Sequence, residues 1–544
     1  MQKYFHSKPW VWWSTWLVLI LTTLYFRPLL PVDETRYVAV AWEMWLKKNF
    51  LVPYLNGIAY SHKPPFLFWV INIGWGIFGI NEWWPRLVAP LFGLACLFLS
   101  THICRKLSPR TDAFFIVPII LIGTFYWAVF STVTMFDLII TFWTLVGING
   151  LINISTGQKL QGWIFLTLAI SLGILTKGPV ILIYLLPTAF LGPFWAFKKT
   201  DLNWGTYYLQ IIASVITSTI IALLWAIPAG IAGGEIYQNA IFWGQSAGRI
   251  VDSFAHREPF WWYLAIAPIL LMPWLLWPTL IRKLWYNLHK KKHNKKRNNG
   301  LRLIFVWATS SIVILSLISG KQPHYLLPIF PALAIAVAIL ISNFTEKDFF
   351  KPHLDMLPYI LLLLVTGFII FLIPEIGNFF GISEWTNELN RYWAVPLIGL
   401  GIVMVIKPPK LGYFRVLSIS LISPVLIVSL LAILEPILSR GYDLKPISEY
   451  IAKKQREGYL IANYGKYHGQ FHFLGKLEHQ IFETGDGNIK EWLLKTPRAK
   501  IISIQTKINN EYPEPEYVQR YRSKYILIWD RSIIINHPRA PQRK

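Results

Sequence analysis

Charged residues at the ends of apolar runs are the first place to look for chemistry in this chain. "DETRY" (33–37) sets two adjacent carboxylates, Asp33 and Glu34, beside Arg36 and Tyr37, directly after a mostly apolar run from Trp10 to Leu30. "YSHKPP" (60–65), "TMFD" (134–137), "TKGP" (176–179), "GRIVDSFAHREPF" (248–260) and "SGKQPHY" (319–325) stand at similar borders. Carboxylates come from Asp33, Glu34 and Asp137, cations from Lys63, Lys177, Arg249 and Lys321, and phenols from Tyr37 and Tyr325. Charge at membrane depth is costly, so such groups usually pair or serve a pathway or site. Several cations on one face can hold a phosphate and stabilise it as a leaving group. A carboxylate there can act as general base toward a hydroxyl.

Each motif also has an ordinary reading. Asp33 or Glu34 can cap the helix expected over 37–48, where its dipole favours an acid. The two prolines after Lys63 can start a helix. Lys177 can snorkel from a span end, and 248–260 can be a plain polar loop. Convergence of all of them on one membrane face favours the chemical reading.

That convergence depends on topology. The chain has 544 residues, 54% hydrophobic with 27 Trp and only 15% charged, more apolar surface than a soluble core can bury. Runs of about 20 apolar residues read as membrane-spanning helices. Thirteen are expected, at 10–30, 86–104, 114–131, 138–153, 163–176, 179–197, 207–231, 260–281, 303–319, 325–342, 357–373, 392–406 and 416–434. The first carries no small-residue cleavage site and reads as a retained anchor. The run 66–80 is short, carries three glycines and reads as interfacial. With a cytoplasmic N-terminus and no crossing at 66–80, the basic segments 105–110, 198–199, 283–297 and 407–410 all fall inside. The net charge of +24 therefore marks orientation rather than nucleic-acid binding. Cys96 and Cys104 read as core or lipid-facing residues rather than a disulfide. The chemical motifs fall outside, as does 436–544, where short β-like runs ("YLIANY", "AKIISIQ", "YILIWDRSIII") alternate with helical stretches ("PISEYIAKKQRE", "GNIKEWLLK"). The expected architecture is an all-α polytopic membrane protein with a small C-terminal α/β domain. A membrane domain, 1–435, carries interfacial helices at 34–80, and a periplasmic or luminal domain follows at 436–544.

In order and spacing, "DETRYVAVAWEM", "VPYLNGIAYSHKPPFLFW", "FDLIITFW", "LTKGP", "GRI…FAHREPFWWY" and "SGKQPHYLLPIFPALA" resemble the lipid A aminoarabinose transferase family. That family belongs to the protein-mannosyltransferase-like set of GT-C membrane glycosyltransferases. The resemblance spans about residues 10–345. It implies transfer of a sugar from a polyprenyl-phosphate (in bacteria, undecaprenyl phosphate) carrier to a lipid or other envelope acceptor. The transfer would invert the anomeric centre, on the periplasmic side of a bacterial inner membrane. By motif, Asp33 resembles the key carboxylate and Asp137 a second one shaping the site. Lys63, Arg249 and Tyr325 resemble ligands of the carrier phosphate. Lys177 and Lys321 occupy matching loops, and Glu34, Arg36 and Tyr60 complete the substrate-binding set. Two positions depart. In the family a glutamate before the "KPP" lysine and a histidine in the large outer loop hold a metal ion; here they read His62 and Ser246. A lone His62 falls short of the three or four protein ligands of zinc, with His256 and His324 on the same face as further candidates for a divalent metal. Sugar and acceptor stay open.

The resulting reaction is an in-line displacement at the anomeric carbon, with Asp33 either as base toward a hydroxyl or as a positioning group toward a phosphate acceptor. The segment 232–259 reads as a glycine-hinged lid or an ordered connector. A protein acceptor is the alternative within the class. A transporter would place charge near the midplane of repeated, broken helices, which the sequence does not show. An oligosaccharyltransferase would want a "WWD"-type motif in the outward domain, which "KEWLLK" and "LIWDRS" do not supply.

Overall fold

The computed structural model describes residues 10–197, 202–244, 257–289, 299–381, 386–485, 489–508 and 512–541. Among these, eight helices are long and apolar enough to cross a membrane: Trp83–Leu107, Asp137–Ser155, Lys159–Phe190, Trp204–Gly233, Gly300–Leu317, Pro323–Ser342, Pro352–Phe371 and Gly412–Arg456, the last including the turn before the C-terminal domain. Trp10–Phe26, Phe66–Phe78, Ala113–Gly123 and Arg391–Ile406 are apolar but shorter. The chain is thus an integral membrane protein, helical among the described residues except for a short β-hairpin and a small C-terminal sheet.

Several expected spans are broken. The run 114–131 parts at Thr124, whose backbone is extended (ψ 119°), into Ala113–Gly123 and Phe125–Phe130. Phe125 N–H then donates to the Met272 carbonyl at 2.8 Å, and Trp274 Nε1 to Thr124 Oγ1 at 2.9 Å. Neighbouring segments therefore satisfy the groups freed by the break, as apolar surroundings require. The last expected span, 416–434, lies within one helix running Gly412–Tyr442. Hydropathy marks where lipid ends, not where backbone hydrogen bonding ends.

The chain divides into two compact units: Met1–Leu24, His62–Leu67 and Arg86–Ile433 in one; Tyr25–Ser61, Phe68–Pro85 and Leu434–Lys544 in the other.

In the first unit the element that matters most is a helical hairpin. Asp137–Ser155 and Lys159–Lys177 each have 19 residues, about 28 Å at 1.5 Å per residue, close to the thickness of a hydrocarbon core. A short connection makes them antiparallel neighbours, with Gly157 at φ 101° in the turn. Their backbones approach through Gly150 and Gly162. A Cβ on Gly150 would lie 2.7 Å from the Gly162 carbonyl, and one on Gly162 2.6 Å from the Gly150 carbonyl. Small residues at such a crossing are how membrane helices pack closely. Because the hairpin is antiparallel and even in length, its first and last residues, Asp137 and Lys177, end at the same side.

The second unit is built on a five-stranded sheet. Strands β1 (Tyr54–Leu55) and β2 (Ile58–Ala59) form a separate hairpin. The sheet comprises β3 (Leu460–Tyr464), β4 (Phe482–Thr484), β5 (Ala499–Gln505), β6 (Tyr517–Tyr521) and β7 (Lys524–Asp530), in the order β4-β3-β5-β7-β6. β3 pairs parallel with β4 and β5; β7 pairs antiparallel with β5 and β6. Helices Lys445–Arg456 and Ile489–Lys495 match the two expected stretches. "YILIWDRSIII" is corrected: the strand stops at Asp530, whose side chain accepts the Ser532 N–H at 2.9 Å and so starts the helix Arg531–Asn536. "NG" in "YLNGIA" makes the β1–β2 turn, with Asn56 at φ 54° and Gly57 at φ 77°, the left-handed pair a tight hairpin needs. Asn56 then exchanges two 2.8 Å hydrogen bonds with the backbone of Ile481. Trp42 Nε1 donates to the Leu477 carbonyl at 3.0 Å, and Trp75 stacks on Phe473. The interfacial segments after Tyr25 are thus part of the same compact body as the C-terminal sheet.

Candidate active site

The first unit holds Asp137, Lys177, Lys63, Lys321, Tyr325 and His62. Asp137 opens one hairpin helix and Lys177 closes the other. Each sits at the helix end whose dipole favours its charge. They join at 2.5 Å, with side chains 2% and 10% exposed. Tyr325 lies in the short helix Pro323–Ile329, its ring centre 4.9 Å from Lys177 Nζ. The Tyr184 hydroxyl donates to the Tyr325 carbonyl at 2.8 Å and anchors it. Lys63 Nζ stands 5.7 Å from the ring centre of Phe136, the residue before Asp137. Lys63 and His324 both act electrostatically on Asp137. One buried carboxylate thus sits among three basic residues and a phenol, brought together from four stretches of sequence.

Lys321 is placed differently. It is buried, and its ammonium donates to the carbonyls of Glu258 and Ile318, both at 2.7 Å. The same strip pairs Arg257 with Gly320. Lys321 fastens the segment entering 257–260 to the segment before Tyr325, and its charge is committed to backbone oxygen.

The second unit holds Asp33, Glu34, Arg36 and Tyr60. The two adjacent acids have opposite surroundings. Glu34 is 2% exposed and grips the buried Arg27 guanidinium through both oxygens, while Oε2 also accepts the Leu30 N–H at 2.8 Å. Asp33 is 52% exposed and pairs with Arg36, one helical turn on. The expected helix over 37–48 begins earlier, at Asp33, with Val32 as the residue before it and no side-chain cap. Neither acid caps; both lie in the first turn, where the dipole still favours them. Arg36 lies 5.6 Å from the Tyr37 ring centre and within electrostatic reach of Tyr60.

Arg249 lies outside the described residues, as do Ser246 and His256. Among the described residues no group of three or more His, Cys, Asp or Glu converges in a way that could hold a metal ion, His62 included. Sequence reading missed Arg27, the partner of Glu34, and Tyr184, the anchor of Tyr325. Arg27 carried a signal, a lone cation at the end of an apolar run; a tyrosine within an apolar run carries none.

The structure aligns with the crystal structure of ArnT from Cupriavidus metallidurans bound to undecaprenyl phosphate at a TM-score of 0.72, with 16% identity, over 95% of this chain and 97% of that one. The same protein in the apo state aligns at 0.71. The fold is therefore that of the GT-C membrane glycosyltransferases, as the sequence resemblance implied. Residues 7–239 match the profile of the dolichyl-phosphate-mannose-protein mannosyltransferase family. An undecaprenyl phosphate-alpha-4-amino-4-deoxy-L-arabinose arabinosyl transferase of Pseudomonas fluorescens is 27% identical over 62% of this chain and 60% of its own length. One from an Enterobacter species is 29% identical over 59% and 57%. The chain thus spans less than two thirds of the length of these relatives. Its sequence is similar to those of the arabinosyl transferases and, over residues 7–239, to the mannosyltransferase family.

Proposed function

We propose that the chain transfers a sugar from a polyprenyl-phosphate carrier to an envelope acceptor, on the periplasmic face of a bacterial inner membrane. The observation that carries this reading is the cluster of Asp137, Lys177, Lys63, His324 and Tyr325, one carboxylate among basic residues and a phenol at one end of a membrane-length hairpin. The basic segments 105–110 and 407–410 support the orientation. In the reaction the bond between the anomeric carbon and the carrier phosphate breaks. A new bond forms to the acceptor oxygen, whose proton passes to Asp33 when the acceptor is a hydroxyl. Lys63, with Arg249, holds the departing phosphate, and Tyr325 adds a hydrogen bond. Lys177, already matched by Asp137, orients the site and leaves the net positive field to the other cations. Glu34 serves by holding Arg27, and Lys321 by tethering the loop before Tyr325.

The test is transfer from a radiolabelled polyprenyl-phosphate sugar in membranes, comparing wild type with Asp33→Asn and Lys63→Ala at matched expression. Label should reach an acceptor fraction only with wild type, and activity of both variants at the wild-type level would reject these roles. The mannosyltransferase match over 7–239 supports a second acceptor class, protein, and the fraction that takes up label separates the two.

A further inference from the structure

Four helix ends of the first unit enclose a cavity of about 300 Å³ that the motifs above do not use. Its walls come from the start of Trp10–Phe26 (Trp12), the last turns of Trp83–Leu107 (Phe98, His102 and Arg105), and the starts of Ala113–Gly123 (Phe114) and Gly412–Tyr442 (Tyr413). The basic segments 105–110 and 407–410 adjoin these ends. Lys106, next to Arg105, bonds to Asn149 and Asn153. Asn153 lies about 24 Å from Asp137 along their shared helix, so the cavity is at the face opposite the candidate active site.

Three features point to an anionic phospholipid. First, the cavity changes character along one helix. Phe98 and Arg105, seven residues apart, share a helix face and stand about 10 Å apart along the axis. The Phe98 end is aromatic: its ring meets those of Trp12 and Trp13 edge-on, each with centres 5.2 Å apart. The Arg105 end is basic. Second, that base is unanswered. Arg105 stacks on Phe114, its Cζ 4.5 Å from the ring centre, and among the described residues it has no hydrogen bond or ion pair. A guanidinium stacked by its face keeps its N–H edge for a phosphate. His102, one turn earlier, is exposed and makes no hydrogen bond among the described residues. Lys106 gives its ammonium to neutral amide oxygens, at 3.0 Å and 2.5 Å, which leaves its charge uncancelled. Between Glu82 and Asp137 the one acid in the sequence is Asp112, and among the described residues it pairs with none of these cations. Third, Trp10 and Trp13 are exposed beside the cavity, and indoles gather at the level where hydrocarbon meets headgroups. The basic end therefore faces the headgroup layer, and half-exposed Phe98 faces acyl chains. Basic pockets between membrane helices on the cytoplasmic side suit anionic headgroups.

We propose that this cavity binds one anionic phospholipid of the cytoplasmic leaflet, its phosphate on Arg105 and His102 and the upper part of an acyl chain against Phe98 and Trp12. A lipid held there bridges the first helix to its neighbours and stabilises the folded chain by mass action. The leaflet rests on the orientation proposed above; the lipid site does not.

The experiment is binding of short-chain lipids to the full chain in neutral detergent, read by native mass spectrometry and by thermal unfolding. The probes are dioctanoyl phosphatidylglycerol, dioctanoyl phosphatidylcholine and glycerol phosphate. The variants are Arg105→Gln, Phe98→Ala and, as a basic position outside the cavity walls, Arg110→Cys. Phosphatidylglycerol should bind at least about tenfold more tightly than either other probe and should raise the melting temperature. Arg105→Gln should lose the preference over phosphatidylcholine, Phe98→Ala should weaken phosphatidylglycerol severalfold, and Arg110→Cys should leave its binding unchanged. Equal binding of the two lipids, or a preference that survives Arg105→Gln, would overturn the proposal. So would glycerol phosphate binding as tightly as the lipid, the mark of a free-anion site, or an equal loss in Arg110→Cys, the mark of diffuse surface charge. Because binding is read without turnover, failure of the transferase reading leaves the lipid site standing. Cys96 and Cys104 are buried, so a membrane-impermeant maleimide added to intact cells reports on Arg110→Cys. Shielding is expected, and labelling would overturn the leaflet and the orientation together.

Discussion

Replacing Lys177 by methionine tests whether the hairpin's two ends are held by charge. Asp137 is 2% exposed and its 2.5 Å partner would be gone. Removing one member of a buried pair typically costs 3–5 kcal/mol, because the other charge is left uncompensated. Lys63 and His324 still act on Asp137, so the expected loss is near the lower end, about 3 kcal/mol. The double variant Asp137→Asn/Lys177→Met removes both charges and should recover most of that loss, since exchanging a whole buried pair for neutral groups is often close to neutral. The assay is thermal unfolding of the purified protein in detergent, paired with the transfer measurement. The double variant should regain stability without regaining transfer, as the carboxylate of the proposed phosphate-holding cluster is missing. A loss below about 1 kcal/mol in Lys177→Met would refute the reasoning, as would a double variant no more stable than the single one.

Four further outcomes follow from particular contacts. Glu34→Gln should cost about 3–5 kcal/mol by stranding the buried Arg27. Asp33→Asn, next to it, should cost under about 1 kcal/mol in stability yet reduce transfer by about 10²–10⁴-fold; equal thermal losses would contradict the assigned surroundings. Gly150→Val should push the hairpin helices apart, because its Cβ would lie 2.7 Å from a backbone oxygen; a loss of about 1–3 kcal/mol is expected, and unchanged melting would count against the crossing. Burial lowers the His472 imidazole from 6.5 to about 4, and the Tyr467 hydroxyl 2.7 Å from Nδ1 suits the neutral ring. The unfolded chain then binds the proton more readily. Stability of the C-terminal unit should be full above about pH 6.5 and lost progressively down to about pH 4, by about 3 kcal/mol in all. Hydrogen exchange of the 467–477 amides should report that slope, and His472→Gln should flatten it.

The membrane class was legible because lipid and backbone chemistry act on long averages: runs of apolar residues and asymmetric basic loops survive any local detail. The motif residues were legible as types and in order. What each one touches was not. The Glu34–Arg27 grip joins residues seven apart across the end of a helix, and the Lys321 contacts with Glu258 and Ile318 depend on a tertiary pairing. The break at Thr124 came from packing: a Cβ on Gly123 would lie 2.5 Å from the Ser420 Cα.

The pair "DE" shows why type and position alone underdetermine role. Both acids lie in the first turn of one helix, and both meet an arginine. Burial separates them. Glu34, enclosed with three hydrogen bonds to its oxygens, has little capacity left to accept a proton from a substrate without breaking a structural contact. Among the described residues Asp33 pairs only with Arg36 and it is half exposed, so an incoming hydroxyl can reach it. The same argument orders the lysines. Lys321 gives two bonds to backbone carbonyls and Lys177 is matched by Asp137, so neither brings net positive charge to a phosphate. A transferase built this way should be far more sensitive in donor affinity to Lys63→Ala than to Lys321→Met, while Lys321→Met should loosen the 257–260 segment. Polyprenyl-phosphate binding to the two variants, read beside proteolysis of that segment, checks both halves. Equal losses of donor binding would show that charge count, not the committed hydrogen bonds, governs this face.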